Sequence, residues 1–390
     1  MRFPEFQGEW CFSTIGEQFD LYSGNTPSRL NKEHFEGNVN WITSGELKEH
    51  YISDTKEKIS EDAATANNLK LLHPGTFVIA IYGLEADGVR GTGSITCKES
   101  TISQACMAFT QKGDVKNEFL YSWYKKHGNI IGIKYAQGTK QQNLSYDILE
   151  KFHIAYPSQD EQDKLIKFIS LLDERIATQS KLIEKLESLI KGINQYVFTN
   201  NGVNYKLGEL CEIRSGYSGN QLLSKSGLKV SRIETISGHK VNMERIGYVA
   251  PFDSSENYRL RIGDILFSNI NSVEYIGNTA FIDKDYDLYH GMNLLRLTPN
   301  DKVVMPFYLY LLLNTNRMLN RFKTICNKAV SQASINQTEL GKTVVQIHDI
   351  NAQKQICELY QALYDKLESE IYANSLFQKQ KQYLLRQMFI

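Results

Sequence analysis

Ile15-Gly16-Glu17 followed by Ser23-Gly24 returns as Leu207-Gly208-Glu209 followed by Ser215-Gly216, and this correspondence decides the fold. It extends outward along the chain. His73-Pro74-Gly75 opening Thr76-Phe77-Val78-Ile79-Ala80 answers Arg261-Ile262-Gly263 opening Asp264-Ile265-Leu266-Phe267, and Gln142-Asn143-Leu144-Ser145 answers Ala333-Ser334-Ile335-Asn336. Each copy closes on a long heptad pattern ending in Phe198 or Phe389. A period of about 190 residues is too long for a solenoid unit, so the chain reads as a duplicated domain whose copies can be related by pseudo-two-fold symmetry. Such a molecule suits a target with two halves.

The 390 residues, 42% of them hydrophobic, suffice for two ordinary cores. Cys11, Cys97, Cys106, Cys211, Cys326 and Cys357 form no C-x-x-C pair, and the histidines stand at no ligand spacing from them, which predicts reduced thiols and no metal site. Met1-Arg2-Phe3-Pro4-Glu5-Phe6 carries no hydrophobic signal segment, and the apolar run Phe307 to Leu313 is too short to span a bilayer. The expectation is a cytoplasmic protein with no membrane partner.

Net charge is zero, with 44 Lys+Arg against 44 Asp+Glu, and neither half is strongly basic. The distribution says more than the sum. Residues 119–146 hold Lys125, Lys126, Lys134 and Lys140 with no acid, and residues 302–338 hold Lys302, Arg317, Arg321, Lys323 and Lys328 with no acid. A single such run is ordinarily a solvated face. Its recurrence at matched places in both copies points to phosphate contacts.

Four segments follow from the patterning. Residues 1–156 and 201–347 read as α+β, with short β-rich runs among Gly, Asn and Ser turns. Residues 157–200 and 348–390 read as long helices. In the first, Ile169, Ile176, Ile183, Ile190 and Val197 hold one heptad position, and Leu165, Leu172, Gln179, Leu186 and Ile193 hold the other. The second repeats this with Tyr360, Leu367, Asn374, Lys381 and Met388 beside Ile356, Leu363, Glu370, Phe377 and Leu384. Ser158-Gln159-Asp160-Glu161 is a capping box where the first seam begins, just after Pro157. An antiparallel pairing in full overlap sets Gln179 opposite Asn374. A parallel one sets Ile183 against Asn374 and strands a buried amide at a cost of about 1–3 kcal/mol. The antiparallel coiled coil is therefore expected.

Taken together, the order and duplication of these segments resemble the specificity subunit of type I restriction-modification systems across essentially the whole chain. The residues carrying the resemblance are Ile15-Gly16-Glu17 before the loop Ser23-Gly24-Asn25-Thr26-Pro27, the strand Asn40-Trp41-Ile42, the segment Gly138-Thr139-Lys140-Gln141-Gln142-Asn143-Leu144-Ser145, and Pro157 with Glu161-Gln162 opening the first helix. The second copy departs from it, with Tyr217-Ser218 after Gly216, His348 where the first has Pro157, and Ala352 where the first has Glu161. The resemblance implies a non-catalytic reader of double-stranded DNA with two target-recognition domains, one for each half of a bipartite site, separated by a helical ruler. Its implied partners are two modification (methyltransferase) subunits and restriction subunits with a translocase motor. S-adenosylmethionine, and ATP with Mg, would belong to those partners, with no cofactor bound by this chain.

The residues themselves agree through what is missing: no G-x-x-x-x-G-K-[ST] loop, no Asn/Asp-Pro-Pro-aromatic motif, no G-x-S-x-G elbow and no catalytic set. Glu46-Leu47-Lys48 reads as surface salt-bridging and not as a nuclease remnant. Candidate DNA contacts fall in matched loops. In the first copy these are Ser23, Gly24, Asn25, Thr26, Ser28 and Arg29, then Tyr82 and Arg90, then Thr139, Lys140, Gln141, Gln142 and Asn143. The second copy offers Arg214, Ser215, Gly216 and Tyr217, then Asn269, Asn271 and Ser272, then Lys328, Ser331, Gln332 and Asn336. Small residues allow close backbone approach to phosphates, and cations beside side-chain amides suit phosphate clamping and adenine readout. Trp41 is expected to be packing. Two other classes stay open on the residues alone, an adaptor built on the coiled coil that never meets DNA and a DNA-modifying enzyme with an unrecognised site.

Overall fold

Two compact units account for the chain, Met1–Ser180 with Tyr372–Ile390 and Lys181–Ile371. The computed structural model describes residues 2–85, 88–138, 142–198, 202–328 and 332–389. Each unit is a repeat of the same α+β domain together with part of both long helices, Gln159–Val197 and Ile350–Met388.

In the first unit a five-stranded sheet runs in the order Phe19–Ser23, Cys106–Gln111, Phe77–Ala80, Gly93–Thr96, Tyr51–Ile52. Its central strand is apolar at every position because both faces are covered. Period-two alternation sends Phe77 and Ile79 under the helix Asn117–Tyr135, and Val78 and Ala80 into a second cluster with Ile42, Leu47 and Ile102. Trp41 is 2% exposed, packs with Ile59 and Ala63, and donates from Nε1 to Asn25 O at 3.2 Å, the structural role expected of it. Glu46 does not form a surface salt bridge. Its carboxylate accepts from Thr43 N, Thr43 Oγ1 and Lys56 N, capping the short turn Ser44–Glu46.

The second unit keeps the plan with four antiparallel strands in the order Cys211–Ser215, Leu294–Pro299, Ile265–Ser268, Thr279–Phe281. Two helices, Pro306–Leu313 and Asn316–Ile325, cover its sheet where the first unit has one. Each domain also pairs its opening strand with its closing one, Cys11–Thr14 with His153–Tyr156 and Val203–Lys206 with Val344–Ile347. The closing strand then leads directly into a long helix.

A buried glutamine fastens each of those helices to its domain. Gln162 accepts from Lys116 N at 3.0 Å and donates to Asp114 O and Pro157 O at 3.1 and 3.0 Å. Gln353 repeats this, accepting from Met305 N at 2.9 Å and donating to Val303 O and His348 O. The capping box of the first helix is only half formed. Ser158 Oγ accepts from Glu161 N at 3.4 Å, but the Glu161 carboxylate pairs with Arg2.

Within each unit the helix segments run antiparallel. In the first, Asp173 pairs with Lys381, Arg175 lies 4.3 Å over the Phe377 ring, and Ser180 meets Asn374. In the second, Asn194 accepts from Tyr360 Oη at 3.1 Å, and Leu363 and Leu367 pack with Ile190, Ile193 and Val197. Ile169, Leu172, Ile176, Gln179, Ile183 and Leu186 are the less exposed positions of the first helix, as are Leu363, Leu367, Asn374, Phe377 and Leu384 of the second. The amide pairing expected at the polar layer is shifted by one residue. Asn374 Nδ2 donates to Ser180 Oγ at 3.4 Å, while Asn374 Oδ1 is buried without a hydrogen bond. A helix turn presents neighbouring residues to the same partner, so a hydroxyl next to the seam can capture the amide. Leu165 and Ile169 also do more than fill a seam, since they join the first domain's core together with Leu384, Leu385, Met388 and Phe389. No helix among the described residues is long and apolar enough to cross a membrane.

The first unit holds a charged cluster where its domain meets both helices. His50 is stacked between Tyr51 and Tyr121, at 4.1 and 3.9 Å, and its Nε2 bonds Glu118 at 2.8 Å. Its Nδ1 lies 3.3 Å from Asp173, an ion pair without hydrogen-bond alignment, and Asp173 also pairs with Lys381. Burial alone would lower the His50 pKa, but the Asp173 and Glu118 carboxylates outweigh it and raise the pKa above its ordinary 6.5. Asp173 is likewise held below 3.8 by His50 and Lys381 against the opposing effect of burial. Burial and the Lys381 charge lower Lys125 to about 8, against Asp173 and Glu49. The first lysine window is therefore not a uniform solvated face, because Lys125 sits over the Tyr121 ring and Lys126 donates to Phe389 O.

Two outcomes follow. His50→Phe keeps the aromatic stack and removes the ion pairs. Because the folded pKa is raised, the histidine's contribution is complete below about pH 6.5 and fades as pH climbs through the folded value. The stability difference between the wild type and His50→Phe, measured by urea unfolding, is expected to be about 1–2 kcal/mol at pH 6 and smaller at pH 9. A difference that grows with pH contradicts the assignment. Gln353→Ala strands three partly buried backbone groups and is expected to cost roughly 1–3 kcal/mol in the same assay. A cost below about 0.5 kcal/mol would show that the helix needs no such anchor.

Candidate nucleic-acid interface

Strand register decides which loops can act together. In the first unit Ser23, at the end of its strand, faces Met107, and Ala80, at the end of its own, faces Cys106. Both strands run antiparallel to Cys106–Gln111, so Gly24 and Ile81 leave the sheet at the end where that middle strand begins. Leu144 N then donates to Ile81 O at 2.9 Å and Asn143 bridges Tyr82, which draws the third loop to the same place. Gln137 and Asn143 exchange backbone hydrogen bonds of 2.8 and 2.9 Å and close that loop at its base.

The second unit builds the same arrangement. Ser215 faces Leu295 and Ser268 faces Leu294, so Gly216 and Asn269 leave from one end of the sheet. Ile335 N donates to Asn269 O at 2.8 Å, and Ala333 pairs with both Asn271 and Lys328. Loops scattered over more than 120 residues of sequence thus converge in each copy.

The two matched glycines are needed for close approach. A Cβ at Gly24 would lie 1.8 Å from Ile102 O, and one at Gly216 would lie 1.9 Å from Gly291 O. Each following residue then locks the loop, with Asn25 N donating to Ile102 O at 3.2 Å and Tyr217 N to His290 O at 2.9 Å. The His290 imidazole is buried and donates from Nε2 to Leu294 O at 2.9 Å, and burial lowers its pKa to about 4, so it is neutral near pH 7 and adds no charge to the loop.

Several candidate residues are spent on holding these loops. Asn25 donates to Asn67 O and accepts from Thr26 N, and Arg90 donates from Nε to Leu84 O at 2.9 Å. Tyr82 is half-buried against the core. Asn336 caps the helix Gln337–Lys342 by accepting from Glu339 N, and Asn271 bonds Ser268 and Ser272. Arg29 makes two 2.8 Å hydrogen bonds to Glu57 above the rings of Phe35 and Trp41, and Arg214 pairs with Glu212. These last two are exposed pairs, which exchange readily for another anion.

Others keep their chemistry available. Ser23, Ser28, Ser215, Ser272, Lys328 and Gln332 are exposed, and Gln142 is half-exposed. Tyr217 stacks on Phe252 at 3.8 Å with Tyr258 at its edge. Asn143 Oδ1 and Asn269 Oδ1 are buried without a hydrogen bond, one in each unit at the crossing of the second and third loops. Thr139, Lys140, Gln141 and Ser331 lie outside the described residues. Sequence reasoning noted Gln162 only as part of the resemblance and missed its anchoring role and its match with Gln353, although their position after each closing strand was a usable signal. It also missed the His50 cluster, whose members stand too far apart in sequence to be connected by pattern. No group of three or more His, Cys, Asp or Glu among the described residues could hold a metal ion.

A family model for the type I restriction modification DNA specificity domain matches the chain twice, over residues 7–188 and 201–374. The chain is similar to the putative type I restriction enzyme MjaX specificity subunit of Methanocaldococcus jannaschii, with 44% identity over 150 residues covering 38% of this chain and 35% of that one. The chain thus spans about a third of that relative's length. To the type I restriction enzyme MjaVIII specificity subunit of the same organism it is 23% identical over 342 residues, 80% of this chain and 76% of that one. A likeness of fold extends to the crystal structure of the type I restriction-modification system S subunit from M. genitalium, at a TM-score of 0.60 and 18% identity over 100% of this chain and 99% of that one. With both copies matched by one family model, and both building the same loop set at the same end of their sheets, the chain belongs to the type I restriction-modification DNA specificity family.

Proposed function

We propose that this chain is the non-catalytic DNA-reading subunit of a type I restriction-modification complex, that each unit reads one half of a bipartite site through its converged loops, and that the long helices form an antiparallel coiled coil spacing the two. The observation that carries this reading is the repetition of the loop set, since one sheet end in each copy gathers exposed serines, amides and cations. Pseudo-two-fold symmetry between the copies would match a site read from both strands. The segments 1–156 and 201–347 are then the recognition domains, and 157–200 and 348–390 the spacer.

Docking of two modification subunits on the helices is supported by apolar side chains left exposed there. Leu171, Tyr372, Leu376 and Tyr383 are 44–63% exposed in the first unit, and Leu189, Tyr196 and Leu359 are 44–80% exposed in the second. Such stripes normally mark an interface. Those subunits would bring S-adenosylmethionine, and restriction subunits with ATP and Mg would complete the assembly.

Methylome sequencing of a host expressing the chain with its modification partner tests the reading, with the expected result a methylated site made of two fixed half-sites and a fixed spacer. Four residues inserted between Phe198 and Asn204, if helical, add about 6 Å at 1.5 Å per residue. They are expected to lengthen the spacer by one or two base pairs of about 3.4 Å with both half-sites unchanged. An unchanged spacer with retained methylation rules out the ruler. Separately, Lys328→Ala is expected to weaken binding to all sequences and to reduce the slope of log affinity against log salt by about one unit. Altered base preference at an unchanged slope would make Lys328 a base reader instead.

A further inference from the structure

Two leucines are almost wholly in solvent, Leu30 at 98% and Leu223 at 107% exposure. Single exposed leucines are ordinary. These two, however, occupy nearly matched places, because Leu30 follows Gly24 by six residues and Leu223 follows Gly216 by seven, one residue beyond the Leu222 that corresponds to Leu30. Neither lies on a loose terminus. Leu30 is bracketed by Arg29, held by Glu57 on one side, and by Asn31, whose Oδ1 caps the turn Lys32–Phe35 on the other. Leu223 follows Leu222, whose N donates to Tyr248 O at 2.7 Å, and precedes Ser224 and Ser226, whose hydroxyls are 2.7 Å apart. Each backbone is therefore pinned while its apolar side chain projects.

The surroundings are selective in charge. No acid occurs between Asp20 and Glu33, where Arg29 and Lys32 flank Leu30. None occurs between Glu212 and Glu234, where Arg214, Lys225, Lys229 and Arg232 flank Leu223 in sequence, three of them in exposed ion pairs with Glu212, Asp287 and Glu234. An apolar tip on an anchored loop carrying Lys32 or Lys225, beside arginines whose exposed ion pairs exchange readily for another anion, fits a polyanion with an apolar interior, which is double-stranded DNA. Proteins that grip DNA in this way press an aliphatic side chain between base pairs while cations hold the flanking phosphates. Resting on the reading of the chain as a DNA-binding subunit, we propose that Leu30 and Leu223 are wedges, each partly unstacking a base step of its own half-site.

The test uses the complex of this chain with its modification subunits and duplexes carrying 2-aminopurine at successive adenines of the mapped site. Wild-type complex is expected to raise the fluorescence at one step of each half-site. Leu30→Ala is expected to abolish the rise in the first unit's half-site alone and weaken specific binding about tenfold or more, with non-specific binding within about twofold. Leu223→Ala does the same in the other half-site. Leu30→Met, which preserves bulk, retains the signal. Wild-type fluorescence that never rises, or that persists in both alanine variants, overturns the wedge while leaving DNA reading intact. Absence of any site-specific binding by the wild-type complex overturns the DNA reading, and the wedge with it.

Discussion

The buried amide at the start of each long helix is the constraint on which the other features depend. A long two-helix seam cannot by itself decide how a globular domain is carried, because heptad packing tolerates rotation and sliding of whatever is attached. Gln162 and Gln353 remove that freedom. Each is at most 1% exposed and satisfies one backbone N–H and two carbonyls that would otherwise be left unpaired. A side-chain amide is suited to this because it donates and accepts at once and carries no charge to desolvate. The orientation of each loop set relative to its own helix segment follows from this anchor.

Around the shared anchor the two copies have diverged in how they fill the junction between domain and helices. The first unit uses ions, with His50, stacked between Tyr51 and Tyr121, paired with Glu118 and Asp173, and Asp173 paired with Lys381. At matched places the second has His239, Phe307, Tyr364 and Asn314, and it leaves a cavity of about 1040 Å³ lined by those residues together with Ile190 and Tyr310. Aromatic edges replace ion pairs there, with Phe307 and Tyr364 6.3 Å apart and Tyr310 Oη donating to His239 O. Ion pairs demand exact partners and respond to pH, whereas ring contacts tolerate substitution. The two junction histidines are accordingly shifted in opposite directions, His50 raised by its carboxylates and His239 lowered by burial.

Glycine close to a carbonyl, an anchored loop and an exposed tip recur in both copies with different side chains around them. That combination separates scaffold from readout. Gly24 and Gly216 are fixed by sterics, while Arg29 and Gln221, or Thr26 and Ser218, occupy corresponding places with different chemistry. A duplicated DNA reader of the kind proposed needs this division, since its two halves share a backbone geometry but need not share a base sequence.

How much was legible in the sequence depended on the range of each interaction. Duplication and the long helices could be read directly, because heptad spacing and matched motifs are local or periodic signals. The convergence of the glycine loop with residues 81–82 and 143–144 could be suspected from repetition alone, and strand register then produced it. Tertiary structure alone decided that Asn374 meets Ser180 next to Gln179, that Glu161 turns to Arg2, that Lys125 lies over the Tyr121 ring, and that Lys126 donates to Phe389 O at the end of the second helix. It alone joined His50, Glu118, Asp173 and Lys381 into one cluster. The physical reason is that hydrophobic periodicity repeats along the chain and so survives in one dimension, whereas a polar side chain takes its partner from whatever the fold brings within about 3 Å, and that choice has no period to read.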